Sequence, residues 1–316
     1  MLNRRYLRIK VFQSLYAYWQ NEDATPSKVE KELFLSIDRT YDLYVALLDL
    51  IGEVRRKAEQ RIEERKAKRL PTGDDLEPSR RFVDNPVMLA ISNSARLATE
   101  SRDRKVEWVG EGELVGRIYR AFAATEEYNA YMTAPSTRFK IDQQLVLHLF
   151  LEHIANSEAL HDLYDARSIH WMEDLDLACS MVKRTIETMR EGHTGELHFD
   201  DLDRDRKEEH DFVSKLYRKT IEMGEEHEDA IAEKAKNWET DRIALSDMIL
   251  MKMALTEARV FEEIPVKVTL NEYIEIAKAY STPKSKNFVN GILDKLFIEM
   301  RANGSIHKVG RGLLEN

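Results

Sequence analysis

The stretch that most constrains this chain lies near its C-terminus, Ile264 to Lys295, IPVKVTLNEYIEIAKAYSTPKSKNFVNGILDK. Pro265 cannot donate a backbone hydrogen bond and holds its neighbour extended, so it fixes the chain just ahead of a helix. Thr269 and Glu272 stand three apart, the spacing of a capping box, which places the helix start near Thr269. Tyr273, Ile276 and Tyr280 recur at helical spacing, as do Ile274 and Ala277, and define a buried face. Ser281-Thr-Pro283 breaks that helix, and Ser285 is placed to cap the next one. Phe288, Ile292 and Leu296 then form a second apolar stripe, flanked by Val289, Leu293 and Met300. Two amphipathic helices joined by a short polar loop cannot stand alone; the rest of the chain must cover them.

This stretch resembles the C-terminal signature of the NusB family of transcription antitermination factors. There P-x-K-V-x-x-N-E-x-x-E-x-A-K runs through a polar loop into F-V-N-G-x-L-D-K. Pro265, Lys267, Val268, Asn271, Glu272, Glu275, Ala277 and Lys278 fit the first part. Phe288, Val289, Asn290, Gly291, Leu293, Asp294 and Lys295 fit the second. So many fixed positions in so short a run make a specific motif.

Composition supports a helical reading. A third of the residues are charged, Gly and Pro are few, and long helical periods occur with almost no alternation of period two. The expected fold is all-α: NusB-like helical bundles, with an inserted helical region read as a degenerate duplicate. No apolar run approaches the roughly eighteen residues of a membrane span. The basic N-terminus lacks a small-residue cleavage site, so it reads as part of the fold, and a cytoplasmic location is expected. The single Cys179 excludes an internal disulfide and a cysteine metal cluster. With a net charge of −9, any nucleic acid must meet a local basic patch.

The first such patch is the predicted helix over 3–20, NRRYLRIKVFQSLYAYWQ. Leu7, Val11, Leu15 and Tyr18 form its apolar stripe, and Arg5, Arg8, Phe12 and Tyr16 lie along an adjoining face. Arginines can hold phosphates while rings stack on unpaired bases. Taken alone, a solvated basic face explains the pattern as well. The spacing of Arg4, Arg5, Arg8, Gln13, Leu15 and Tyr16 is also similar to the N-terminal helix of NusB proteins, which bind the boxA element of nascent RNA partly through this end. The expected RNA site joins Arg4, Arg5, Arg8 and Tyr16, which the resemblance covers, with Lys10 and Phe12 of the same helix, Lys284 and Lys286 of the C-terminal loop, where Lys284 departs from the family pattern, and Phe288 at the start of the following helix. Tyr6 and Leu7 within the basic run depart from the family pattern.

Between the two matching pieces the chain is unfamiliar. The expected organisation is an arginine-rich helix over 1–20, an inserted helical region over 21–208, a NusB-like bundle over 209–301, and a flexible basic tail over 302–316. Residues 27–68 read as a long helix or one broken near Gly52, its second half laced with alternating charge. The prolines and glycine of 70–86 mark a hinge, and GHTGELHFDDLDRDRKEEHD (192–211) the main boundary. Gly110, Gly112 and Gly116 mimic a nucleotide loop, but Glu111 and Glu113 would face the pyrophosphate and no βαβ unit surrounds them. His148, His153, His161 and His170 lack the pairing of a helical zinc site. An internal echo matches ELVGRIYRAF (113–122) to DFVSKLYRKT (211–220). It also sets FKIDQQLVLHLFLEHIANSEA (139–159) against WETDRIALSDMILMKMALTEA (238–258), with Ser157 against Thr256.

No catalytic constellation and no cofactor site emerge, and the chain is expected not to be an enzyme. An RNA cytosine methyltransferase with a fused NusB-like domain is disfavoured, because no Rossmann-type motif is present. Two readings of function remain. The first is an antitermination factor binding boxA-like RNA with ribosomal protein NusE in an RNA polymerase antitermination complex. The second is a non-catalytic protein-interaction scaffold with a vestigial RNA site.

Overall fold

The structure is a computed structural model that describes residues 4–168, 171–192, 206–236 and 243–313. His170, Trp238, Asp241 and most of the expected boundary at 192–211 lie outside the described residues. In chain order the helices are α1 (Arg4–Gln20), α2 (Pro26–Lys66), α3 (Gly73–Leu76), α4 (Pro86–Ser92), α5 (Ala95–Asp103), α6 (Gly112–Ala123), α7 (Glu126–Thr133) and α8 (Phe139–His148). A π-helical stretch, Leu149–Ala155, continues α8. Then come α9 (Glu158–Arg167), α10 (Trp171–Thr188), α11 (Arg206–Glu222), α12 (Gly224–Ala235), α13 (Leu245–Val260), α14 (Val266–Tyr280) and α15 (Ser285–Ala302). The fold is all-α, and no strand occurs among the described residues. None of the described helices is long and apolar enough to cross a membrane.

The chain forms two compact units, Met1–Ile37 with Asp205–Asn316, and Asp38–Arg204. The first extends past residue 20 to include the start of α2, where Glu30 accepts hydrogen bonds from Ser214 and Arg218 of α11 at 2.7 and 2.8 Å.

In this first unit α13 is the central element. Leu250, Met251, Met253, Ala254, Leu255 and Ala258 are fully buried, and α1, α11, α12, α14 and α15 all pack around it. That is the physical outcome of the apolar run IALSDMILMKM: a helix apolar on most faces must be surrounded. α1, distant in sequence, is held against α11, α13 and α14 by the stripe Leu7, Val11 and Leu15. The basic tail, expected to be flexible, makes contacts with the helices between Ile306 and Gly312. Val309 donates its N–H to the Glu262 carbonyl at 3.1 Å, Lys308 Nζ donates to the Phe261 carbonyl at 2.9 Å, and Ile306 is buried. Gly312 lies so close to the Glu262 carbonyl that a Cβ there would sit 2.0 Å from its oxygen.

His227 of α12 is buried in this unit with no partner for Nε2 among the described residues. Burial, assisted by nearby Arg259, lowers its pKa to about 4. Above the ordinary value of about 6.5 the ring is neutral whether folded or not, so it has no effect. Below that, the unfolded chain takes a proton that the folded chain refuses, and stability falls as pH falls toward 4. The loss amounts to about 2 kcal/mol by pH 5. Urea unfolding of wild type and His227→Leu at pH 7.5 and pH 5 measures it; an equal loss in both proteins would contradict this role.

The second unit contains α3 to α10 and most of α2. α2 is unbroken at Gly52, where a Cβ would lie 3.3 Å from the Ser92 Cα, so that glycine serves close backbone approach rather than a break. Trp108 is buried and donates Nε1–H to the Ala46 carbonyl at 2.9 Å, and Tyr128 lies edge to face with both Phe82 and Phe122, which are tilted to each other. The sequence echo does not extend to helix boundaries. Ser157 precedes α9 at a break, whereas its counterpart Thr256 lies inside α13 with its hydroxyl on the Lys252 carbonyl. Similar spacing of Leu and Ala arises in any two amphipathic helices.

Candidate nucleic-acid interface

α1 enters the first unit through its arginines. Arg8 is almost fully buried and makes a bidentate ion pair with Glu257 of α13, at 2.7 and 2.8 Å. Thr269 and Tyr273 of α14 donate their hydroxyls to the same carboxylate at 2.9 and 3.2 Å. Burial opposes the charge on Arg8, but the attraction and hydrogen bonds of Glu257 prevail and raise its pKa above the ordinary arginine value. Arg5 makes a second bidentate pair with Glu272 at 2.8 Å for each bond, which raises the arginine pKa and lowers that of the carboxylate. Arg4 reaches Glu208 at 2.5 Å and lies 5.1 Å from the Phe212 ring centroid. Lys308 comes near Glu257 from the tail, and burial lowers its pKa to about 8. Beside this network lies an open cleft of about 400 Å³, lined by Arg4, Ile264, Pro265, Val268, Glu272 and Arg311 among others.

This geometry corrects two readings of the signature. α14 begins at Val266, with Pro265 at its cap position, so Thr269 is an interior residue that serves Glu257 rather than capping the helix. Glu272 is taken by Arg5. Ser285 is the first residue of α15 rather than its cap. It is buried, and its hydroxyl donates to Asp247 at 2.7 Å while accepting the Thr282 N–H at 3.2 Å.

The nine expected RNA contacts separate by exposure. Arg8, Lys10, Phe12 and Phe288 are buried, so contrary to expectation their side chains offer no open surface to a ligand. Arg8 is drawn in by Glu257. Lys10 lies 5.3 Å from the Tyr6 ring, and Phe12 and Phe288 belong to apolar stripes. Arg4 and Arg5 are half-buried in their ion pairs. Tyr16, Lys284 and Lys286 are exposed.

Tyr280, assigned by periodicity to the buried face, is instead 42% exposed. Its ring lies edge-on to Phe12 at 5.8 Å, and Tyr16 lies 6.2 Å from Phe12 on the α1 side. Phe12 thus underlies two exposed tyrosines, next to the loop 281–286 with its two exposed lysines. Tyr280 ends its helix, where the solvent begins, and that position rather than its period was the available signal.

The loop is fixed from below by Asp247, a buried carboxylate at the start of α13. It accepts Ser281 Oγ at 2.6 Å and Ser285 Oγ at 2.7 Å. Asp247→Ala is expected to cost about 1–3 kcal/mol, since two hydroxyls lose a charged acceptor. Hydrogen exchange at 281–286 should quicken together with the stability loss. Unchanged exchange there would show that the loop is held by other means.

The NusB family model matches residues 176–297, which contain the whole signature. A protein of Natranaerobius thermophilus named transcription antitermination protein NusB is 33% identical over 109 residues. Those residues are 33% of this chain and 78% of that protein. The chain belongs to the NusB family. Similar proteins of the same name from Salinibacter ruber and Chloroherpeton thalassium are 47% and 45% identical over 104 and 105 residues. Each match takes 33% of this chain, and the chain spans only 65% and 50% of those two relatives. No solved structure matches. Within the NusB-matched range the decisive acid is Glu257, which with Asp247 is one of two buried carboxylates in the otherwise largely apolar α13. An acid within so apolar a run is the sequence signal for a buried ion pair.

Proposed function

We propose that this chain is a transcription antitermination factor. It holds a boxA-like single strand of RNA together with ribosomal protein NusE, within an RNA polymerase antitermination complex that supports ribosomal RNA operon transcription. Its role is binding rather than catalysis. Membership of a family whose relatives carry the antitermination name supports the reading. The observation that carries it is the surface next to the signature loop, where Tyr16 and Tyr280 flank Phe12 and Lys284 and Lys286 are exposed. Rings accept any base by stacking while lysines meet the backbone, so one surface provides both components of single-strand binding.

The proposed RNA site comprises Tyr16, Tyr280, Lys284 and Lys286, with Arg4 and Arg5 at its α1 end and Arg8, Lys10, Phe12 and Phe288 beneath. Fluorescence anisotropy with a boxA oligonucleotide, a scrambled strand, and each with NusE added tests it. A preference for boxA that NusE strengthens is expected. NusE binding with no preference between the strands would favour the scaffold reading instead.

A further inference from the structure

A second cationic surface lies in the unit Asp38–Arg204, outside the residues matched by the family model. On α6, Arg117 and Arg120 stand one turn apart and both are exposed. From α2, Lys57 lies against the same helix at Gly116. A Cβ at Gly116 would be 3.4 Å from both Arg120 Nη1 and the Lys57 Cε, so the glycine leaves the room in which the two cationic side chains converge. Lys57 Nζ donates to the neutral Gln60 side chain at 3.0 Å. Neither Arg117 nor Arg120 has an ion-pair partner among the described residues. The acids nearby make no ion pair with them among the described residues: Glu113 stands one turn before Arg117, Glu53 is taken by Arg56, and Glu64 accepts from Gln60 at 2.9 Å and stands 3.9 Å from Arg61.

Clustering like charges without counter-charges raises the energy of the surface unless an anion completes it. In a chain of net charge −9 such a cluster is also a local exception. The exposed residues of α6 are Gly112, Glu113, Arg117, Arg120 and Ala121, with no large apolar side chain to enter a bilayer. A nucleic-acid backbone needs only charge, and charge is what this face offers.

We propose that Lys57, Arg117 and Arg120 form a second nucleic-acid site, which binds the phosphates of single-stranded RNA without reading sequence. It is independent of the site around Tyr16. The test uses the full chain, a poly(U) strand of about forty nucleotides and a series of salt concentrations. Arg117 and Arg120 are solvent-facing and alanine favours a helix, so the Lys57→Ala/Arg117→Ala/Arg120→Ala variant should keep its fold, as circular dichroism checks. Its affinity for poly(U) should fall about tenfold or more at low salt. The slope of log K against log salt should flatten by about 0.7 for each lost phosphate contact, about two units in all. Arg117→Lys/Arg120→Lys should retain most of the binding, since a phosphate accepts a point charge.

A Tyr16→Ala/Lys286→Ala variant separates this proposal from the preceding one. It should lose boxA preference while the effect of the triple variant on poly(U) persists. If the preference survives in that variant, the α1 reading fails and this one stands. An unchanged poly(U) affinity and salt slope in the triple variant overturns the second site. So does a loss confined to binding of phosphatidylserine vesicles, which would make the face a membrane contact.

Discussion

Replacing Glu257 by alanine is expected to destabilise the first unit by about 3–5 kcal/mol, because it leaves a buried guanidinium without its counter-ion. Glu257 is fully buried, and its two oxygens accept four hydrogen bonds, two from Arg8 and one each from Thr269 and Tyr273. Glu272 is the next acid, at 3.8 Å from Arg8, and it already holds Arg5. The penalty is thus one of desolvation rather than of a lost surface contact. A double replacement, Arg8→Met with Glu257→Leu, removes both charges and should recover the part of the loss due to the unpaired guanidinium, leaving about 1–3 kcal/mol for the Thr269 and Tyr273 hydroxyls that lack an acceptor. Urea unfolding followed by circular dichroism gives the magnitudes, and hydrogen exchange shows where they act. Protection should be lost first in α1, whose arginine is released. A single alanine variant within about 1 kcal/mol of wild type would show that water or another acid replaces the carboxylate.

The same pair shows what could be read from the sequence and what could not. The apolar periods of α1, α14 and α15 reflect the burial of one face each, the apolar run of α13 reflects burial on most of its surface, and burial is written in residue type. Leu7, Val11 and Leu15, or Ile292 and Leu296, could therefore be placed without coordinates. The partners of charged residues are set by tertiary approach, which local spacing does not encode. Thr269 and Glu272 have capping-box spacing, yet Pro265 starts the helix a turn earlier and the two side chains turn to Glu257 and Arg5. Arg8 looks in sequence like its neighbours Arg4 and Arg5, and only the acid on α13 distinguishes it as buried. The tail illustrates the limit of composition: glycine-rich and basic, it reads as mobile, but Gly312 is what permits its close approach to the Glu262 carbonyl. In the candidate site the sequence named Tyr16, Lys284 and Lys286 but missed Tyr280, because periodicity assigns a face and says nothing of where a helix emerges into solvent.

Removing the Tyr16 ring is expected to have the largest effect on RNA under the proposed function. Tyr16→Ala should weaken boxA binding by about 1–3 kcal/mol, the worth of one base stacked on an aromatic ring. The corresponding change in Kd is about 5-fold to 150-fold. The hydroxyl accepts a hydrogen bond from Gln20 at 3.1 Å in the same helix, so it is already engaged away from any base. Tyr16→Phe should therefore bind almost as tightly as wild type, and a large loss in that variant would assign the role to the hydroxyl instead. Tyr280→Ala tests the second ring of the platform and should act in the same direction. Lys284→Ala and Lys286→Ala should behave differently. Each should lower affinity for boxA and scrambled strands alike and flatten the salt dependence by about 0.7, as loss of a phosphate contact does on a single strand. Arg8→Ala would confound this comparison, because its burial makes any loss of RNA binding a consequence of α1 leaving its place. Tyr16 is free of that difficulty: it is exposed, it lies on a helix anchored elsewhere, and its removal leaves Phe12 to cover the core. Unaltered boxA affinity in Tyr16→Ala and Tyr280→Ala alike, with the fold intact, would rule out stacking on this face and leave the lysines as a purely electrostatic contact.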